Sequence, residues 1–89
     1  MIYEVALTFP NRSRSFDEVR NAVRFLGYDG LFEILFFIQA EALVRTEPTS
    51  MTEAACLAAF DAARDLIYDA ARRAYVRRRR TTLTPADFR

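Results

Sequence analysis

The sequence predicts an α+β fold: a small antiparallel sheet packed against one short helix and one long helix. Three observations carry that prediction. Residues Tyr3 to Phe9 alternate in polarity with period two. Two apolar, aromatic-rich runs flank Asp29-Gly30. From Thr52 to Arg79 there is no Gly or Pro, and Ala is abundant. The 89 residues make a single domain, 1–89.

The first strand spans 2–9. Tyr3, Val5, Leu7 and Phe9 share its apolar face, and Glu4, Ala6 and Thr8 the other. Pro10-Asn11 stops it, and Asn11 to Ser15 reads as a polar connection. A hairpin follows, with strands over 19–28 and 31–38. Asp-Gly suits a two-residue type I′ turn, because both of its central positions need positive φ. That turn predicts Val23 opposite Phe36, Phe25 opposite Ile34, and Gly27 opposite Phe32. One face of the sheet is then Val23, Phe25, Phe32, Ile34, Phe36 and Ile38, wholly apolar, and is the expected core. The opposite face carries Ala22, Arg24, Leu26, Glu33, Leu35 and Phe37, with Arg24 and Glu33 placed to pair diagonally. Leu26, Leu35 and Phe37 are too apolar for a fully solvated face, which makes them a candidate partner interface.

Residues 40–46 read as a short helix with Glu41 and Arg45 spaced i,i+4. Glu47-Pro48-Thr49 breaks it. Ser50 and Glu53 form a capping box for one long helix over about 51–79. Its buried stripe is Cys56, Leu57, Phe60, Ala63, Ile67, Ala71 and Ala74. At 1.5 Å per residue the rod would reach about 40 Å, beyond the roughly 25–30 Å breadth of so small a domain. Thr84-Pro85 with Asp87 resembles a helix start. The tail 81–89 therefore docks either as a helical turn or as a strand, with Leu83 and Phe88 as apolar pegs.

Composition excludes much chemistry. All 13 basic residues are Arg, set against 12 acids, and there is no Lys and no His. Without His there is no imidazole base or metal ligand, and without Lys no Schiff base or P-loop lysine. Cys56 alone gives no internal disulfide and no thiolate zinc site. The sequence offers no catalytic set, no cofactor site and no metal site. No apolar run reaches the roughly 18 residues of a membrane span; Ile34 to Ile38 has five. The N-terminus lacks the pattern of a secretory signal. The expected location is the cytoplasm, with no membrane partner.

Several segments together resemble the bacterial domain of unknown function 1488 family. They are Phe9-Pro10-Asn11, Arg14-Ser15-Phe16-Asp17, Ala22-Val23-Arg24-Phe25 and Gly27-Tyr28-Asp29-Gly30. Glu33, Phe36-Phe37, Glu41-Ala42-Leu43, Ala58 to Ala62 with Arg64 and Ile67, and Leu83-Thr84 with Asp87-Phe88 continue the match. The resemblance implies a small α+β fold and no established activity. Members of that family often carry Asn before the helix arginine, where this chain has Ala63.

Residues 72–80 hold six Arg and no acid. Arg73, Arg77, Arg78 and Arg80 are candidate phosphate contacts, because the guanidinium fork matches phosphate oxygens. The competing reading is that cations at a helix C-terminus favour its dipole. Asp61, Asp65 and Asp69 read as a solvated helix face, and Cys56 as a small buried hydrophobe. The function expected first is a non-enzymatic interaction module, a homo-oligomer or protein binder. A nucleic-acid accessory role through Arg72 to Arg80 is the alternative.

Overall fold

The structure, a computed structural model, describes residues 7–43 and 52–88. It has the predicted α+β architecture, with helices on one face of a five-stranded sheet. Strands β1 (Leu7–Thr8) and β2 (Arg14–Asp17) both pair antiparallel with β3 (Ala22–Asp29). β3 pairs antiparallel with β4 (Phe32–Gln39). β5 (Thr82–Leu83) joins the other edge of β4 in parallel, so the sheet is mixed rather than antiparallel throughout. The reason is the connection: the chain returns to β5 from a helical crossover, the kind that joins parallel strands.

Of the strand expected over 2–9, β1 covers Leu7 and Thr8 and stops before Phe9, which leaves the sheet with the bulge; residues 2–6 lie outside the described residues. The stretch 11–15, expected as a polar connection, instead runs into β2 from Arg14. Phe16 is the single large apolar residue there, too little for the pattern to show. The hairpin's first strand starts at Ala22, not at 19. Glu18 to Asn21 form the preceding turn: Asp17 Oδ1 accepts from the Arg20 N–H at 3.0 Å, and Asn21 has φ 50°. Val19 therefore stands in solvent, 95% exposed.

The β3–β4 register also differs from expectation. Asp29 pairs with Phe32, so the loop is Gly30-Leu31 and not Asp29-Gly30. Gly30 has φ 61°, and Leu31 is not among the positive-φ residues. Glycine first, with positive φ only there, is the II′ pattern. Asp29 stays in the strand, where its Oδ2 accepts from Tyr75 Oη at 2.9 Å. The observed partners are Val23–Ile38, Phe25–Phe36 and Gly27–Ile34. The slip is two residues, and side chains alternate with period two, so every residue keeps its predicted face.

The short helix expected over 40–46 is described as α1 (Ala40–Leu43); residues 44–46 lie outside the described residues. The predicted long helix is two helices, α2 (Glu53–Ala62) and α3 (Arg64–Arg78). Thr52 is the N-cap of α2, its Oγ1 accepting from the Ala55 N–H at 3.0 Å. Ser50, predicted to cap, lies outside the described residues. The break at Ala63 involves no Gly or Pro. Its backbone sits at φ −111°, ψ 17°, and its N–H is shared between the Ala59 and Phe60 carbonyls, each at 3.1 Å. The break divides a rod too long for the sheet into pieces of about 15 and 22 Å.

The core lies between the helices and the predicted face. Val23, Phe25, Phe36, Ile38 and Leu83 come from the sheet, and Cys56, Phe60, Ile67, Tyr68, Ala71 and Ala74 from α2 and α3. Phe32, expected in this core, is 74% exposed because it lies at the hairpin tip. The tail adopts both predicted forms. Thr82–Leu83 is a strand, and Pro85–Phe88 a 3-10 turn whose Asp87 accepts from the Thr84 N–H at 2.8 Å.

Gly27 shows why one strand position has no side chain. A Cβ there would stand 2.9 Å from Phe9 Cε1 and 3.0 Å from Phe36 Cε2. Phe9 and Phe36 fill the glycine's place, while Phe32, the expected cross-strand partner, pairs with Asp29. Gly27→Ala is expected to cost about 1–3 kcal/mol by overpacking, read as a lower urea midpoint. An unchanged midpoint would mean that the rings move aside freely.

Candidate functional site

Three regions place polar or exposed apolar side chains together. The first is a knot behind the edge strand. Thr8 faces Tyr28 and Arg14 faces Phe25, so the five residues Phe9 to Ser13 span what Leu26 and Gly27, two residues, span on β3. The extra length bulges toward the helices. Phe9 stacks on Tyr68, with ring centroids 4.0 Å apart and planes 3° apart. Asn11 Oδ1 accepts from the Ser13 N–H at 2.9 Å.

Behind the bulge, Asp61 accepts from two arginines. Arg14 donates Nε at 3.0 Å and Nη2 at 2.7 Å, and Arg64 donates Nη2 at 2.7 Å. Arg64 Nη1 also donates to the Arg12 carbonyl at 3.1 Å and to Tyr68 Oη at 2.8 Å. Arg64 is the one buried charged residue among those described, and its guanidinium lies 4.9 Å from the Phe60 ring centroid. A buried cation is tolerable only when paired and hydrogen-bonded, and both conditions hold. The Arg14 hydrogen bond, helped by Arg64, holds the Asp61 carboxyl down at about 2.

Asp61 is therefore not merely part of a solvated row, and Asp69 too holds an arginine, Arg72, at 2.9 Å. Sequence reasoning missed the knot. Its signal was Arg64 itself, four residues after Phe60 and four before Tyr68, a charge on the buried stripe.

The second region is the sheet face away from the core. The structure brings all three predicted interface residues onto it. Leu26 lies directly opposite Leu35, and Phe37 follows two residues along β4. None of the three belongs to the core cluster. Leu35 is 40% exposed, while Phe37 is half-buried under the Arg20 guanidinium, 4.6 Å from its centroid. Arg24 sits opposite Phe37, and Glu33 opposite Tyr28, whose Oη donates to Glu33 Oε2 at 3.1 Å. The expected diagonal Arg24–Glu33 pair does not form, because the observed register sets the two residues on opposite sides of the Leu26–Leu35 pair. A shallow cleft of about 480 Å³ results, lined by Leu26 and Leu35 with Arg24 and Glu33 flanking them.

The third region is the arginine-rich end of α3. Arg72 Nε donates to the Leu7 carbonyl at 3.1 Å, and its guanidinium lies 5.1 Å from the Phe9 ring centroid. Arg79 caps α3 at φ 54° and lies over Tyr75. Arg80 donates to both Asp87 oxygens and, at 3.2 Å, to the Thr82 carbonyl. Arg73, Arg77 and Arg78 are exposed and have no ion-pair partner among the described residues. Together with Arg80 they line a cleft of about 240 Å³; the fold thus places the four candidate residues side by side, with Arg80 already engaged by Asp87.

Cys56 is 1% exposed and burial pushes its thiol up, away from the reactive thiolate. Among the described residues, no three Cys, Asp or Glu side chains gather in a group that could hold a metal ion. Among them, too, no helix is long and apolar enough to cross a membrane.

Fold and surfaces define a small α+β domain in which an edge-strand bulge is tied to a helix break. A family model described as "Protein of unknown function (DUF1488)" matches residues 7–84. The chain belongs to that family. The segments that carried the resemblance fall on the bulge, β2, β3 and its turn, β4, α1, the Asp61–Arg64 knot and the tail. No curated protein and no solved structure matches the chain.

Proposed function

We propose that this is a non-enzymatic bacterial interaction module that self-associates in the cytoplasm through the sheet face of Leu26, Leu35 and Phe37. The observation that carries the reading is the order of side chains on that face: Arg24 on one side of the Leu26–Leu35 pair, Glu33 on the other. Such an order is self-complementary. A two-fold axis crossing between Leu26 and Leu35 sets leucine against leucine and Arg24 of each copy against Glu33 of the other. That is the isologous contact of a C2 dimer, with an apolar centre and a charged rim. Burying this face also supplements the limited core of an 89-residue chain.

Light scattering behind gel filtration, over a concentration series to the high micromolar range, tests the reading. The mass should rise from the monomer's 10.3 kDa toward twice that value. Leu35→Glu should stay monomeric at every concentration and melt as the dilute, monomeric wild type does, since exposed positions have little effect on the stability of the monomer. A wild-type chain that stays at monomer mass throughout would rule self-association out.

A further inference from the structure

We infer that the C-terminal end of α3 contacts the phosphodiester backbone of a nucleic acid without reading its sequence, through Arg73, Arg77 and Arg78. The fold divides the six arginines of 72–80 into two sets. Arg72, Arg79 and Arg80 are occupied: by the Leu7 carbonyl and Asp69, by the Tyr75 ring, and by Asp87 with the Thr82 carbonyl. Their roles are to hold β1, the helix cap and the tail. Among the described residues Arg73, Arg77 and Arg78 have no such role, and they stand in solvent.

The helix dipole favours a cation in the last turn by only about 0.3–1 kcal/mol, and like charges at i,i+4, as Arg73 and Arg77 are, oppose each other by similar amounts. Contacts among the described residues therefore do not account for these three guanidinium groups. Asp87, the acid at their cleft, is already held by Arg80 and Thr84, so it leaves their charge uncompensated. Free forks one turn apart are suited to bidentate contact with successive anionic oxygens.

The occupant follows from what accompanies them. Val76 is the one large apolar side chain exposed in the run, which is not the apolar stripe of a membrane-surface helix. Tyr75, the aromatic residue available to stack on a base, is 8% exposed and donates to Asp29. Phosphate contact without base readout is what remains.

Fluorescence anisotropy with a labelled mixed-sequence DNA duplex and a labelled RNA strand, over a salt series, tests the inference. Three neutralised phosphates predict roughly 40-fold weaker duplex binding at 200 mM than at 50 mM salt. The triple variant R73Q/R77Q/R78Q should abolish binding, and each single variant should lower the log–log salt slope by about 1. Arg12→Gln, in the bulge, makes the same charge change as each single variant and should leave binding near wild type. Absence of binding at the lowest salt would overturn the inference. So would equal loss in Arg12→Gln, full affinity in the triple variant, or binding to phosphatidylserine vesicles without binding to nucleic acid.

Discussion

Phe25→Ala is expected to cost about 4 kcal/mol of folding stability. Phe25 is 1% exposed and is the hub of the aromatic core. Its ring lies 5.3 Å from Phe36, 5.2 Å from Phe60, 5.9 Å from Tyr68 and 6.1 Å from Phe9, measured between centroids. Those four rings come from β4, α2, α3 and the edge bulge, so no single element can collapse into the void. A domain of this size holds roughly 4–13 kcal/mol in total, and the variant should be largely unfolded at low urea. Phe32→Ala is the matched control. That ring is 74% exposed, and its loss should change stability by about 0.5 kcal/mol or less. Comparable losses at the two positions, measured by urea titration of circular dichroism, would contradict the assignment of core and tip.

Arg64→Leu comes second in expected effect. It keeps apolar bulk over Phe60 but removes the donors to Asp61, Tyr68 and the Arg12 carbonyl. A lost hydrogen bond to a charged group costs about 1.5–3 kcal/mol, and the half-exposed Asp61 recovers part of that from water. The net expectation is about 2 kcal/mol, with faster hydrogen exchange at Arg12 to Arg14.

The same knot predicts an acid limb. Asp61 titrates at about 2 in the fold, against 3.8 for the free group. Between those values the unfolded chain binds more protons, so stability rises with pH there. The contribution is complete above the unfolded value and disappears as pH falls through about 2. Asp17 and Asp87 are lowered as well, Asp17 chiefly by the Arg20 N–H and Asp87 chiefly by Arg80. Asp61→Asn should therefore flatten the limb without abolishing it, as followed by thermal melts over that range. An Asp61→Asn limb as steep as wild type would mean that the pair does not persist in solution.

Much of this molecule was legible in the sequence, and the failures have physical causes. Period-two alternation assigned β3 and β4 residues to the correct faces even though the turn was misplaced, because a slip of two leaves faces unchanged. The turn itself was ambiguous. Asp29-Gly30 and Gly30-Leu31 both put glycine at a positive-φ position, and the Tyr75 bond that keeps Asp29 in the strand is a tertiary contact no local pattern reveals. The break at Ala63 was hidden for a similar reason: Cys56, Phe60, Arg64, Ile67 and Ala71 continue one stripe across it. The knot joins positions 12 to 14 with 61 to 68, and a motif read along the chain cannot pair them. The interface residues were legible because excess apolarity on a strand's second face is a local property. What the sequence left unsorted was the arginine run, since only the fold distinguishes Arg72 and Arg80, which hold structure, from Arg73 and Arg77, which do not.

Self-association through the open sheet face is tested most directly by charge reversal across the two-fold axis. Arg24→Glu sets acid against the acidic Glu33 of the second copy, and Glu33→Arg sets base against base. Each single variant should remain monomeric at concentrations where the wild type dimerises, as read by analytical ultracentrifugation. The double variant R24E/E33R restores opposite charges and should dimerise as the wild type does, because Arg24 and Glu33 do not touch within one chain. A double variant no better than the singles, or single variants that dimerise normally, would contradict the account.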